Sequence, residues 1–219
     1  MNGEKWVIFD FDGTISETTD TLAKFWNERL AKKYKLRTID NENLNLLKDM
    51  NAIEKIKFFK IPFYKLPFVV NSAREHFHKY ADEFAVVSGL KSVCEKLIEK
   101  GYKLSIVSSN REANIRKYLL RNKFDIFSEI FCDKGHSLFV KHKTIKKFLR
   151  EYNISQGEAV YIGDESRDVV ACRNAGIDII SVTWGWDSRE VLELVNPHNL
   201  VNTSDELYKK VVEILGRNR

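Results

Sequence analysis

The stretch Lys-Trp-Val-Ile-Phe-Asp-Phe-Asp-Gly-Thr, from Lys5 to Thr14, limits what this chain can fold into more than any other. Trp6 to Phe9 is an unbroken apolar run, which predicts a strand buried on both faces. It ends abruptly at Asp10 and Asp12. Period-two geometry points both carboxylates to one side if the strand continues, and Gly13 lets the backbone turn away beneath them. Open α/β sheets hold their ligands outside the carboxyl ends of parallel strands, and this pair falls there. Two such carboxylates repel each other unless a cation lies between them or one keeps its proton. A surface Asx turn capping a strand is the plainer alternative, and the rest of the chain decides against it.

A chain of 219 residues is long enough for one large domain or for a core with a sizeable insertion. Hydrophobic residues at 43% and charged residues at 31% are an ordinary globular composition, and only three prolines and ten glycines argue against long disordered linkers. No apolar run approaches the ~20 residues of a membrane span, so no membrane association is expected. The core strand begins within about five residues of Met1, so no signal peptide is expected. Cys94, Cys132 and Cys172 are widely spaced and form no CxxC pair, which predicts reduced, packed thiols in a cytoplasmic protein. The formal charge of +5 is interspersed with acids and suits a small anion. No basic stripe with interleaved aromatics is present, so nucleic acid is not an expected partner. The oligomeric state leaves no trace in the sequence.

Along the chain, Thr18 to Lys35 carries Leu22, Phe25, Trp26 and Leu30 at helical spacing. Shorter helices are expected over Asn43 to Met50 and Ala52 to Phe59. Ile61-Pro62-Phe63 and Leu66-Pro67-Phe68 break the pattern, and helix resumes from Val69 to Phe84. No strand is evident between Ser16 and Phe84. From Gly89 onward strands and helices alternate. Helices are expected over Leu90 to Lys100, Glu112 to Asn122, Lys143 to Tyr152, Asp168 to Ala175 and Leu207 to Leu215. Strands are expected over Tyr102 to Val107, Ile126 to Phe131, Ala159 to Ile162 and Ile177 to Val182. Alternation with short connections predicts a Rossmann-like parallel sheet covered on both faces, with right-handed crossovers. The domains expected are therefore an α/β core, residues 1–15 and 85–219, and an all-helical insertion, residues 16–84.

Three strand ends carry polar residues able to meet a phosphate and a cation: Asp10 with Asp12, then Ser108, then Asp164. Asp168 lies one helical turn past Asp164 and can face the same site, while Glu165 between them could substitute. Lys141 and Lys143 open the helix ahead of the Asp164 strand.

The order DxDGT, a strand ending in Ser, a lysine before a helix, and Gly163-Asp164-Glu165-Ser166-Arg167-Asp168 resembles the haloacid dehalogenase superfamily of phosphohydrolases along the whole chain. Any one of these motifs is weakly specific; four in this order at strand ends are strong. The helical block between the first two motifs matches the cap insertion of phosphoglycolate phosphatase-like members. The resemblance implies an Mg²⁺-dependent phosphatase acting on a small phosphomonoester through an aspartyl-phosphate. Asp10 would be the nucleophile, and Asp12 the acid and base. Asp10, the Asp12 backbone carbonyl and Asp164 would hold Mg²⁺, with Asp168 orienting metal-bound water from behind. Ser108, Ser109 and Asn110 would bind phosphate oxygens together with a lysine. Lys141 fits that lysine best by spacing, Lys143 is next, and Lys134 third. Arg111 could steer a substrate carboxylate.

Two other functions fit the same motifs: a sugar-phosphate mutase or other phosphotransferase, and a non-catalytic binding module. A carbon–halogen hydrolase fits less well, because Asp12 would have no proton to move. His76 and His78, two apart on a helix, do not share a face, and no metal site is expected there. Lys55, Lys57, Lys60 and Lys65 read as a solvated face, with contact to an anionic leaving group as the alternative. Phe58, Phe59, Phe63, Tyr64 and Phe68 are expected to form the insertion's own core. Trp184 and Trp186 pack in the core or line the site entrance.

Overall fold

The computed structural model describes residues 3–17, 23–50, 52–72, 84–132 and 141–217. Strand β1 (Trp6–Phe9) is completely enclosed, as its apolar run requires. Val7 and Phe9 point into one hydrophobic layer, Trp6 and Ile8 into another. Each such side chain, fully removed from water, contributes roughly 1.5–3 kcal/mol, so both faces of β1 are equally committed.

The chain next forms β2 (Ser16–Glu17) and a run of helices. These are α1 (residues 23–34, with a π-helical turn over Trp26–Ala31), α2 (Asn41–Asp49), α3 (Ala52–Phe58), a 3₁₀ turn (Phe63–Lys65) and α4 (residues 66–72). Strand β3 (Ala85–Val86) returns the chain, and α5 (Leu90–Glu99), β4 (Lys103–Ser108), α6 (Glu112–Arg121) and β5 (Glu129–Cys132) follow. Then come α7 (Lys141–Glu151), β6 (Ala159–Gly163), α8 (Ser166–Ala175), β7 (Asp178–Val182), α9 (Arg189–Val195), β8 (Leu200–Val201) and α10 (Ser204–Gly216).

The sheet runs β5-β4-β1-β6-β7-β8 and every pairing in it is parallel. Helices α5, α6 and α10 cover the Val7 face, while α7 and α8 cover the Trp6 face. This is the Rossmann-like core expected from the alternation. Chain order reverses around β1, so the crevice for a ligand opens at the carboxyl ends of β4, β1 and β6.

Several elements differ from the sequence expectation. A strand does exist at the start of the helical block: Ser16–Glu17 pairs antiparallel with Ala85–Val86, and the Val87 amide donates to the Ile15 carbonyl. Two residues are too few to show periodicity. Ser108 is the last residue of β4 rather than the one after it. Lys141 already belongs to α7. Helix α4 begins before Pro67, which sits in the first turn, where a missing N–H costs nothing. The α9–β8 segment went unread because α9 buries only Leu192 and β8 is two residues long.

The insertion's core is not the aromatic set expected. Phe59 is buried with Ile39 and Leu47, and Phe25, Leu30 and Val69 form a second cluster. Phe58 packs at the edge of the first cluster, whereas Phe63, Tyr64 and Phe68 are 81%, 72% and 65% exposed. Pro62 and Pro67 flank a 3₁₀ turn instead of a regular helix, which rotates these rings away from the apolar side. His76, His78 and Lys134 lie outside the described residues. Among those described, no helix is long and apolar enough to cross a membrane.

Among the described residues, one buried side-chain polar atom has no partner: the hydroxyl of Ser105, fully buried on β4. Burying a hydroxyl without a hydrogen bond costs about 1–3 kcal/mol. Ser105→Ala is therefore expected to stabilise the fold by about 1 kcal/mol, seen as a higher denaturation midpoint at an unchanged m-value.

Candidate active site

The chain leaves β1 through a tight turn. The Ile15 and Ser16 amides donate to the Phe11 carbonyl, and the Gly13 amide to the Ser16 carbonyl. Gly13 has φ +81°, and a Cβ there would lie 2.2 Å from Asp164 Oδ2. Only glycine satisfies both demands. The turn leaves Asp10 buried with Oδ1 accepting from the Phe11 amide at 2.8 Å. Its Oδ2 accepts from Lys141 Nζ at 2.5 Å.

Lys141, in the first turn of α7, bridges two acids: its Nζ also lies 2.5 Å from Asp168 Oδ1. Burial alone would lower the Lys141 ammonium, but Asp10 and then Asp168 outweigh it and hold it well above its ordinary value. Lys143, two residues on, is exposed. Asp168 sits in the first turn of α8, and its Oδ2 accepts from the Glu165 amide at 3.4 Å. The Glu165 side chain turns instead to Arg167.

Asp164, immediately after β6, is held from two sides. Thr14 Oγ donates to Oδ1 at 2.8 Å and the Trp186 amide to Oδ2 at 2.7 Å. It is wedged between glycines, since a Cβ on Gly185 would lie 2.2 Å from the Asp164 Cβ. Carboxylate oxygens of Asp10, Asp164 and Asp168 come within 4.8 Å of one another, and all three residues are buried. Burial, joined by Glu165, Asp10 and Asp168, pushes the Asp164 carboxyl well above the usual range. Burial raises Asp10 too, against the pull of Lys141. A crowded, buried, all-oxygen donor set of this kind fits a hard divalent cation such as Mg²⁺, whose charge would lower these carboxyls again.

Asp12 is only half buried, and its two oxygens accept from Asn110 Nδ2 at 3.3 and 3.1 Å. Burial and the neighbouring Asp10 push its carboxyl up to about 7, while the Asn110 bond works against them. Asn110 is itself fixed, its Oδ1 accepting from the Arg111 amide at 2.7 Å and from Asn114 Nδ2 at 2.9 Å. Ser108 is buried and its Oγ accepts from the Asn110 amide at 3.1 Å; Ser109 is half buried and the Arg111 side chain is exposed.

Asp10, Asp12, Ser108, Asn110, Lys141, Asp164 and Asp168 thus share one sheet edge. The sequence reading missed what holds them. Thr14 lay inside the DxDGT motif, but nothing marked its hydroxyl as a support for Asp164. The Asn110 side chain faces Asp12, a contact that nothing in the sequence marks. Asp187 carried no signal at all: its Oδ2 accepts from both the amide and the hydroxyl of Ser166 at 2.7 Å, at the start of α8. The tryptophans divide. Trp184 packs beside the core and its Nε1 donates to the Thr14 carbonyl at 3.2 Å, while Trp186 faces the insertion, its ring 5.1 Å from Lys55 Nζ.

Comparison with known proteins places this geometry in a family. Over 210 residues, 95% of this chain and 98% of the other, the chain is 23% identical to a phosphoglycolate phosphatase of Synechococcus elongatus. It is 27% identical to the pyrophosphatase PpaX of Bacillus cereus over 212 residues, 92% of this chain and 93% of that one. A predicted phosphatase from Clostridium acetobutylicum superposes with a TM-score of 0.82 at 24% identity, covering 97% of this chain and all of the other, a likeness of fold. The model of the haloacid dehalogenase-like hydrolases matches residues 7–182, and the chain belongs to that family.

Proposed function

We propose that this hydrolase is an Mg²⁺-dependent phosphatase that cleaves small phosphomonoesters through an aspartyl-phosphate on Asp10. The observation that carries the proposal is the setting of Asp10. It is a buried carboxylate at the end of the central strand, with one oxygen held by the Phe11 amide and the other by Lys141. An oxygen so fixed is aimed without further loss of rotamer freedom.

The residues then divide the work. Asp10 attacks phosphorus, and the bond to the leaving oxygen breaks as the aspartyl-phosphate forms. Asp12, whose carboxyl stands near neutrality, gives its proton to that leaving alkoxide. Water next attacks the phosphoenzyme, Asp12 takes back a proton, and phosphate leaves. The Ser108 hydroxyl and the Ser109 amide would donate to the non-bridging oxygens, with Lys141 offsetting their charge. Asn110 Nδ2 keeps Asp12 turned toward the opening. Asp10, Asp164 and the Asp12 backbone carbonyl would hold the cation, and Asp168 would keep Lys141 in place from behind. When bound, Mg²⁺ supplies charge neutralisation between the attacking carboxylate and the phosphoryl oxygens. Residues 16–84 act as a cap over the opening and exclude bulk water while the phosphoenzyme exists.

The substrate class is a small phosphorylated metabolite. 2-Phosphoglycolate is the first compound to test, on the likeness to the Synechococcus elongatus enzyme, and pyrophosphate the second, on the likeness to the Bacillus cereus one.

Phosphate release from a broad phosphomonoester panel is expected only with Mg²⁺ and should vanish with EDTA. Asp10→Asn should lower turnover by at least about 1,000-fold with the fold intact by circular dichroism. No release from any compound, with Mg²⁺ shown to bind, would leave phosphoryl transfer to a second hydroxyl or a binding role. Gly185→Ala puts a methyl group against Asp164 and should weaken Mg²⁺ binding by about 10- to 100-fold, measured by titration calorimetry.

A further inference from the structure

Lys55 is a cap residue drawn out of solvent. It lies on α3, its side chain is only 16% exposed, and its Nζ sits 3.3 Å from Asp187 Oδ1, an oxygen on a side chain 6% exposed. The same ammonium faces the Trp186 ring. Beside this pair, the Ser188 amide donates to the carbonyl of Lys48 on α2 at 3.1 Å. One short segment after β7, residues 186–188, therefore receives the insertion through a charge, a ring and a backbone hydrogen bond.

That segment also grips Asp164 twice. The Trp186 amide donates to Asp164 Oδ2 at 2.7 Å, and the Asp187 amide to the Asp164 carbonyl at 3.3 Å. Asp187 spends its second carboxylate oxygen on Ser166, at the start of the helix that carries Asp168. We infer that Lys55 and Asp187 are positioning residues: their ion pair is a latch through which seating of the cap sets the orientation of Asp164. With the cap seated, both Asp187 oxygens are occupied and the Trp186–Asp187 peptide is held against Asp164. When Lys55 withdraws, Oδ1 is left as a nearly buried, half-paired charge, and a charge so stranded is costly. Asp187 then turns toward water and carries the Trp186 amide with it. Asp164 loses a donor, so the closed cap is the state that binds the cation best. This consequence rests on the proposed role of Asp164 as a cation ligand; the coupling itself does not.

Residue-resolved hydrogen exchange on the metal-free protein tests the latch without any turnover. The Ser188 amide reports cap seating and the Trp186 amide reports Asp164. Lys55→Met, which keeps length and removes charge, should speed exchange of both by about tenfold. Ile162 and Val107 in the sheet should not change, and Lys55→Arg should restore wild-type protection. In calorimetry, Lys55→Met should bind Mg²⁺ several-fold more weakly than wild type, and Lys55→Arg about equally. Faster exchange at Ser188 with Trp186 unchanged overturns the coupling. No change at either amide overturns the latch, and uniform acceleration that includes Ile162 and Val107 overturns both by showing a general loss of stability. Failure of the wild type to bind Mg²⁺ would sink the metal role of Asp164 while leaving the exchange results to stand.

Discussion

The structure depends on carboxylates forced together at the end of one strand. Asp10, Asp164 and Asp168, all buried, bring their oxygens within a few ångströms of one another, with Asp12 close by and Lys141 bridging two of them. Burial and mutual repulsion raise the Asp10 and Asp164 carboxyls above their ordinary values, against the pull of Lys141 on Asp10. The surrounding chain serves to keep these charges close despite their repulsion. Thr14, the Trp186 amide, the Phe11 amide and Asn110 each give a hydrogen bond to one of the acids, and two glycines leave Asp164 nowhere else to go. A cavity built at that cost is suited to a ligand that supplies positive charge and to a reaction that moves negative charge.

Rigidity and adaptability are assigned to different parts of the chain. The sheet, filled from both faces, fixes where the acids emerge. The insertion has two small cores of its own, in which Phe59 and Phe25 are buried, and it meets the residues beside Asp164 through Lys55 and Lys48. Its lysines are not equivalent: Lys57 and Lys60 are solvated, whereas Lys55 is committed to Asp187.

How much of this was legible in the sequence followed the length scale of each signal. The α/β alternation was readable because β1, β4, β6 and β7 are continuous apolar runs, and buried parallel strands must be. The acids were readable because they end those runs. Supporting groups were not, since Thr14, Asn110 and Asp187 act through contacts spanning many residues and occupy no periodic position. The same limit hid the β2–β3 pairing and the α9–β8 segment. The aromatic run around Phe63 misled for the opposite reason: hydrophobic character was plain, but two prolines decide which way those rings face, and composition does not encode direction.

The placement of β1 bears on how the molecule assembles in time. Its partners lie far along the chain, Trp6 opposite Lys103 on one side and Ala159 on the other. The centre of the sheet therefore closes loops of about a hundred residues or more, and such long-range pairing is slow. Helix contacts within residues 23–72 are local and can form early. β1 is thus made well before the strands it pairs with and is among the last to find its neighbours. Until β4 and β6 arrive, the apolar run that ends in Asp10 and Asp12 has no strand beside it. The aspartates that later do the chemistry would, in that interval, keep neighbouring nascent copies of the same strand apart.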